Sequence, residues 1–526
     1  MERRDVAAVL SGYGLLAFVC APTTTKNSLR AITHFRKRSH DDIAPFASRT
    51  RRFEVIVARM ALDVACCRLL ILWSTKGLES RRNPQMKTIT FAALTHIFLP
   101  LIAVADDGAL DAVHQWPQWR GPLGAGVSPH GEPPLRWSED KNIRWKTPLP
   151  GKGHSTPIVW GDRIFVTAAV PHGEELKPRY SGAPGAHDNL PVTSRQKFVV
   201  IAINRSNAEI IWKRTAREGL PREGGHYSAS LASNSPVTDG EHLFAFFGSH
   251  GLYCYDLDGN LQWETSLGFM QTKHGHGEGS SPALYGETLV INWDHEGQSF
   301  VAAFDKSTGD ERWISKRDEV TSWATPIIVE HAGRQQVIIS GTSFVRGYDL
   351  ATGAVIWQCG GLSANIVASP VAADGMVYTG SSYDTRALMG IRLDGAEGDI
   401  TGTDNVAWSR FRGTPYVPSP LLYEDALFFL THYQGICTRV EAKTGNDSPG
   451  AFRLGGIRNV YASPVAAAGR VYVTDLDGVT LVFSSEKDHQ NLALNRLDDA
   501  FSASAAIVGN ELFLRGERNL YCIAEE

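Results

Sequence analysis

Apolar and polar positions along this chain fall into short runs. The stretch Gly279–Trp313 shows the pattern best. Ser280–Leu284, Thr288–Trp293 and Phe300–Asp305 are apolar or β-branched runs, and a fourth run ends on Trp313. The turn Tyr285-Gly286-Glu287, a polar loop and Lys306-Ser307-Thr308-Gly309 separate them. Such runs, bounded by Gly, Asp and Ser, predict β-strands. Four short antiparallel strands cannot bury both of their faces alone, so the unit must pack against copies of itself.

The chain supplies the copies. Trp212, Trp263, Trp313, Trp357 and Trp408 recur at intervals of 44 to 51 residues, most of them after an acidic or polar turn such as DLDGNLQW, DKSTGDERW or DLATGAVIW. After each comes a strand that opens on a small residue and Pro: STP at 155–157, NSP at 234–236, SSP at 280–282, ATP at 324–326, ASP at 368–370, PSP at 418–420 and ASP at 462–464. Turns such as Asp239-Gly240 and Asp374-Gly375 follow the openers. A four-strand unit of this period is the blade of a β-propeller. Eight blades are predicted, over 154–215, 226–267, 276–316, 322–360, 365–412, 416–456, 459–497, and 501–526 together with 142–149. In the last, Phe501–Ala524 supplies three strands, and Asn142–Leu149 resembles a fourth strand with no first three. Joining the two ends closes the ring and leaves no sheet edge open. The predicted fold is therefore all-β, an eight-bladed propeller of four-stranded antiparallel blades closed by an N-terminal strand. Phe452 and Leu494 stand where other blades have Trp.

Charge divides the chain. Residues 1–85 carry 15 Lys and Arg against 7 Asp and Glu, whereas from Asp106 onward the balance is 36 against 49. An acidic folded part gives no support to nucleic-acid binding, which wants a basic face. Phe53–Trp73 carries Arg59, Asp63 and Arg68, too many charges for a membrane helix. Residues 86–105, MKTITFAALTHIFLPLIAVA, have a charged start at Lys87, an apolar centre and the small-x-small site Ala103-Val104-Ala105. They predict a signal peptide cleaved near Ala105, hence an exported, periplasmic or extracellular protein with no membrane span in the mature chain. On this reading translation starts at Met86 and residues 1–85 are a basic extension from a mis-assigned start. Residues 106–141 are a lead-in rich in Trp, Pro and Gly, and 142–526 the propeller. The piece GPLGAG at 121–126 follows no strand and opens no helix, so it is not read as a phosphate loop. Cys254, Cys437 and Cys522 occupy matching third-strand positions of different blades. They are read as small buried hydrophobes, too far apart to bridge.

The openers SSPALYGETLV and VASPVAADGMVY, with the blade ends DKSTGDERW and DLATGAVIW, resemble the PQQ-like repeat. That repeat builds the eight-bladed propellers of quinoprotein alcohol dehydrogenases and of the outer-membrane assembly factor BamB. The resemblance covers about residues 115–526. It implies that Trp145, Trp212, Trp263, Trp313, Trp357 and Trp408 dock each blade against its neighbour. It also implies two functions of different class, since one fold serves both. One is a non-enzymatic scaffold binding a ligand or envelope proteins. The other is a dehydrogenase holding pyrroloquinoline quinone (PQQ) and calcium. For the second, Trp293 or Trp323 is available to stack on the quinone, and Asn292, Asp294 or Glu278 to coordinate calcium. The adjacent cysteine pair of the large enzymes is absent from the propeller, since Cys66-Cys67 precedes it. No G-x-S-x-G elbow and no kinase signature set is present.

In a four-strand blade, the loop entering the inner strand and the loop between strands two and three emerge on one face. Nine of the fourteen histidines after Asp106 sort to that face, among them His154, His172, His187, His226, His250 and His432. The densest group is in the third blade, where KHGHGEGSSP carries His274, His276 and Glu278 and NWDHEG carries Asp294 and His295. Both arms are expected to meet at the channel mouth, where imidazole plus carboxylate suits a divalent metal or an acid–base pair. Trp323, Asn365, Tyr416 and Tyr461 stand at inner-strand starts and, with His154 and His226, are expected to line the channel and bind a ligand. The chain is read as a binding or scaffold protein, with the dehydrogenase as the alternative.

Overall fold

A computed structural model describes residues 112–525, all within the compact unit Leu101–Glu526. The predicted extension and signal peptide lie outside the described residues.

The described chain forms eight sheets built on four antiparallel strands, and in all but the fourth the first strand is shorter than the three that follow. Blade three runs Ala283–Tyr285, Thr288–Trp293, Ser299–Asp305 and Glu311–Arg317. Its second strand is buried along its whole length, while its fourth alternates and turns Trp313 inward. This gradient is what a blade requires: the middle strands are covered on both faces by neighbouring blades, and the outer strand keeps one side in water. The short first strands touch one another around the ring, as Ala283–Tyr285 does with both Val237–Thr238 and Ile327–His331. Ile143–Pro148 pairs antiparallel with Asn519–Ile523, from Ile143 opposite Ile523 to Pro148 opposite Asn519. The two ends of the propeller are thus clasped in one sheet, as predicted.

Two rings of polar bonds join blade to blade. The inner ring explains the openers. The Thr156 amide donates to the Ser235 hydroxyl (2.9 Å), Ser235 to Ser281 (2.9 Å) and Ser281 to Thr325 (3.0 Å). Thr325 donates to Ser369 (2.8 Å), Ser369 to Ser419 (2.9 Å), Ser419 to Ser463 (3.0 Å) and Ser463 to Ser504 (3.0 Å). In six of the seven openers the residue before Pro needs a hydroxyl because it accepts the amide of the blade before it; Thr156 of the first opener does not, and in the last blade Ser504, which precedes Ala505, takes the role. At the eighth junction a different group takes over. Arg515, 2 % exposed, donates to the Ser155 carbonyl (3.2 Å) and hydroxyl and to the Thr167 carbonyl (2.6 Å).

The outer ring is made by tryptophan. Indole N–H groups of Trp145, Trp212, Trp263, Trp313 and Trp408 donate to carbonyls of the following blade, at Arg205, Leu257, Lys306, Leu350 and Ala442. Four of the rings lie over a turn glycine of that blade: Trp212 over Gly259, Trp263 over Gly309, Trp313 over Gly353 and Trp408 over Gly445. These glycines have positive φ, from +69° to +79°, and a Cβ at any of them would overlap the indole. Trp357 departs from the expectation, because its N–H donates to Gln336 of its own blade at 2.9 Å. A short extra strand, Gly398–Asp399, pairs parallel with Val355–Cys359 there and the indole is fully buried. Opposite the tryptophans on the third strands stand Ala202, Cys254, Ala303, Gly347, Gly390 and Cys522. Only a small side chain leaves room for the indole, which accounts for the matching cysteines. Phe452 faces Cys437 in the same register, whereas Leu494 faces Leu481 and is 55 % exposed.

Residues 112–141 cross the ring on the side away from the entering loops. Trp116 bridges Val159 of blade one, and Val127 bridges Ala466 of blade seven. Between them the buried Arg120 guanidinium donates to the carbonyls of Pro420 and Pro464 (both 2.8 Å) and Ala125 (3.0 Å). The segment floors the central channel and makes it a cup.

Candidate functional site

The cup has a cavity volume of about 350 Å³, in the range of small-ligand sites (about 300–1,000 Å³). All six residues predicted to bind a ligand line it: His154, His226, Trp323, Asn365, Tyr416 and Tyr461. Their place follows from the fold, since each sits where a loop enters, or is about to enter, an inner strand. Trp119 of the lead-in segment joins them from below, and His187 and Asp188 come from the long insertion of blade one.

The mouth has two unlike sides. On one, four imidazoles from three loops touch. His187 lies 4.9 Å from His274 and 4.8 Å from His276, centroid to centroid, and His276 lies 4.9 Å from His226. Backbone bonds stitch the loops together: the His226 amide to the His276 carbonyl (3.0 Å) and the Tyr227 amide to the Asp188 carbonyl (2.8 Å). Burial, then the neighbouring His226, pulls His276 down to about 4. Burial also lowers His226, partly opposed by Asp188. These two rings are therefore neutral at pH 7. On the other side stand phenols. Tyr383 stacks on Tyr416 (5.9 Å), Tyr433 stacks on Tyr461 (5.0 Å), and Tyr416 and Tyr433 meet at 5.8 Å.

The five residues expected to form one metal cluster are separated. His274 and His276 join the imidazole group. Glu278 lines the cavity but turns its carboxylate to Ser249, accepting from its amide (2.6 Å) and hydroxyl (2.5 Å). Gly248 makes room, since any Cβ there would overlap the carboxylate. Burial pushes this carboxyl up to about 7 against the pull of the Ser249 bonds. Asp294 is taken by Arg317, which grips it through Nε (2.7 Å) and Nη2 (3.0 Å). His295 accepts from the Gln271 amide (3.2 Å) and lies 3.2 Å from the Gln298 carbonyl. The two arms meet through bonds at Gln271, but the five side chains do not converge, and a buried arginine on the fourth strand takes Asp294. Among the described residues, no group of three or more His, Cys, Asp or Glu is arranged to hold a metal ion. Trp293 and Asn292, offered for a quinone and calcium, are core residues. Trp293 is 2 % exposed and stacks on Phe300, and the Asn292 amide donates to Ser322 and Ala324.

Two buried polar atoms on residues that line the cavity are left without partners. Nε2 of His154 and Oδ1 of Asn365 are buried and make no hydrogen bond within the protein. Burial, then the charges of Lys152 and Arg515, drives His154 down to about 3, so it is neutral. Asn365 holds a left-handed backbone (φ +61°), a conformation that costs energy in any residue but Gly and clusters at functional sites. No Lys or Arg lines the cavity.

The family described as outer membrane protein assembly factor BamB matches residues 135–279, 196–448 and 297–524. The chain belongs to this family of PQQ-like repeat β-propellers. Three solved structures are similar to it. BamB from Moraxella catarrhalis is 14 % identical, with TM-score 0.45 over 68 % of this chain and 98 % of that one. A europium-containing methanol dehydrogenase is 11 % identical, with TM-score 0.42 over 79 % and 92 %. The quinohemoprotein alcohol dehydrogenase ADHIIG from Pseudomonas putida HK5 is 11 % identical, with TM-score 0.45 over 79 % and 81 %. No curated protein matches the sequence. Among the described residues, no helix is long and apolar enough to cross a membrane.

Against this family frame, sequence reasoning did not place Trp119, Asp188, Tyr383, Tyr433 or the hydroxyl ring at the site. Tyr433 had a visible signal, since it adjoins His432 in a loop between strands two and three. Trp119 had none, because nothing in QWPQWRGP says that it passes under the channel.

Proposed function

We propose that this protein is an exported binding propeller that holds a small molecule in its central cup. The observation that carries the reading is the pair of buried, unpartnered polar atoms, His154 Nε2 and Asn365 Oδ1, on residues lining the cavity. A buried acceptor or donor left unmade costs about 1–3 kcal/mol. Two in one cavity are tolerated where a ligand, or water in its absence, completes them. The signal-like residues 86–105 and the family's description support a place in the cell envelope.

The residues present do not fit PQQ with calcium. Calcium takes six to eight oxygens. Asn292 and Asp294 do not line the cavity, although Asn292 Oδ1 is unpartnered; Asp294 is held by Arg317, and Glu278 is bound to Ser249 and protonates near neutrality. No cation lines the cavity to meet the carboxylates of the quinone. The dehydrogenase alternative is tested directly. The purified protein is incubated with PQQ and calcium, desalted, and assayed for retained quinone absorbance and dye-linked alcohol or sugar oxidation. Neither is expected, and turnover would overturn the binding reading.

A further inference from the structure

Resting on that reading, we infer that the ligand is a neutral carbohydrate of one or two rings. Four observations converge on this class. The first is the hydroxyl ring. Ser281, Thr325, Ser369, Ser419, Ser463 and Ser504 all face the cavity, and each hydroxyl oxygen already accepts one amide proton. Each is left with its own O–H proton, and none has a protein acceptor for it among the hydrogen bonds of the described residues. The wall of the cup is therefore an array of donors.

The second is the acceptor side. Asn365 Oδ1 is a free, buried acceptor, and neutral His154 presents a free Nε2 that accepts or donates according to its tautomer. A ligand that only accepts, such as a carboxylate, would satisfy the ring but leave Asn365 Oδ1 unpaired. One that only donates would do the reverse. An alcohol group both donates and accepts, so several alcohols on one small frame meet both sets.

The third is charge. With no Lys or Arg on the wall, and with the carboxyl of Glu278 and the carboxylate of Asp188 at the mouth, an anion gains nothing from the lining. The fourth is shape. Trp323 is fixed by its N–H to the Gly277 carbonyl (2.7 Å), and the stacked pairs Tyr383–Tyr416 and Tyr433–Tyr461 are set beside the same space. Flat faces of this kind take the C–H face of a pyranose, and their rings lose little entropy on binding.

The full chain is titrated with neutral mono- and disaccharides, with sugar acids, with nucleosides and with PQQ. Tryptophan fluorescence, to which Trp119 and Trp323 contribute, and calorimetry are the readouts. Binding of a neutral sugar is expected, weakened tenfold or more in Asn365→Gly and in His154→Leu. Glycine accepts the positive φ of position 365 without strain, and an unchanged melting temperature of the free variants separates lost contacts from lost fold. If a nucleoside, a sugar acid or PQQ binds with the same sensitivity while neutral sugars do not, the carbohydrate inference falls and the binding reading stands. If no compound in the panel produces a signal, both fall. Sugar binding indifferent to Asn365→Gly and His154→Leu would place it elsewhere and overturn the inference.

Discussion

The ring that holds the blades and the mouth that crowns them are built on opposite principles. The ring repeats: seven junctions use the same amide-to-hydroxyl bond, between 2.8 and 3.0 Å. The mouth does not repeat. Imidazoles crowd blades one to three, and phenols crowd blades five to seven. A bond made alike in nearly every blade answers a need shared by all blades, which is packing. A side chain found in one blade answers a need of that blade alone, and such residues add to the repeated hydroxyls the contacts that are not alike in every direction. The eighth junction shows the distinction within the ring. There Thr156 Oγ1 is buried without a partner and Arg515 makes the link. The closing blade is assembled from both ends of the propeller and need not follow the rule of the others.

If that contrast is right, substitutions in the two regions separate by size and by kind. Trp313→Ala removes a 9 % exposed indole together with its bond to Leu350. It should cost about 3–5 kcal/mol, read as a large drop in melting temperature. An effect as small as that of a mouth variant would break the comparison.

Ser369→Ala takes the acceptor from the buried Thr325 amide. A loss of about 1–3 kcal/mol is expected, with Ser369→Thr restoring most of it because Thr325 does the same task one junction away. Should alanine be neutral, the hydroxyl ring is not what joins the blades.

Acid should act through the histidines around the cup. Burial lowers His154 to about 3, His250 to about 4 and His276 to about 4, and lowers His226 as well. Between pH 6.5 and about 4 the folded chain binds fewer protons at these groups than the unfolded chain, so stability falls as pH falls through that window. Glu278 has the opposite sign. Its folded value of about 7 lies above its ordinary 4.5, so its contribution is present below 4.5 and lost as pH rises to 7. Burial also lowers His295 and raises Glu223, Glu319 and Asp475, so five histidines stand against four carboxyls, and the melting temperature should decline from pH 6.5 to 4. His276→Gln should flatten the slope, and Glu278→Gln should steepen it.

Ala208 occupies the place of the turn glycines. Its φ is +65°, and its amide bonds Asn204 as that of Gly309 bonds Asp305. Ala208→Gly should stabilise by about 0.5–1 kcal/mol by relieving that strain. The smallest effect belongs to the exposed His187. His187→Ala should leave the melting temperature at pH 7 within about 0.5 kcal/mol of wild type, and a larger loss would move the imidazole group from the mouth to the framework.

Much of the propeller was legible in the order of residues. The period of the tryptophans, the Ser-Pro openers and the orphan strand at Asn142–Leu149 determine eight blades and their closure, because each is a local requirement of a strand, a turn or a sheet edge. The sequence also determined which residues start inner strands, and so that His154, Trp323, Asn365, Tyr416 and Tyr461 face the cup. What only tertiary structure decided is how side chains far apart in sequence share partners. Asp294 and His276 look like neighbours in the chain pattern, yet Arg317 takes the one, and loops from other blades take the other. Trp119 reaches the cavity only because the lead-in segment crosses beneath the ring. Periodicity reports the contacts that every blade makes in common. The pairing of charges and rings between blades depends on distances that no local pattern contains.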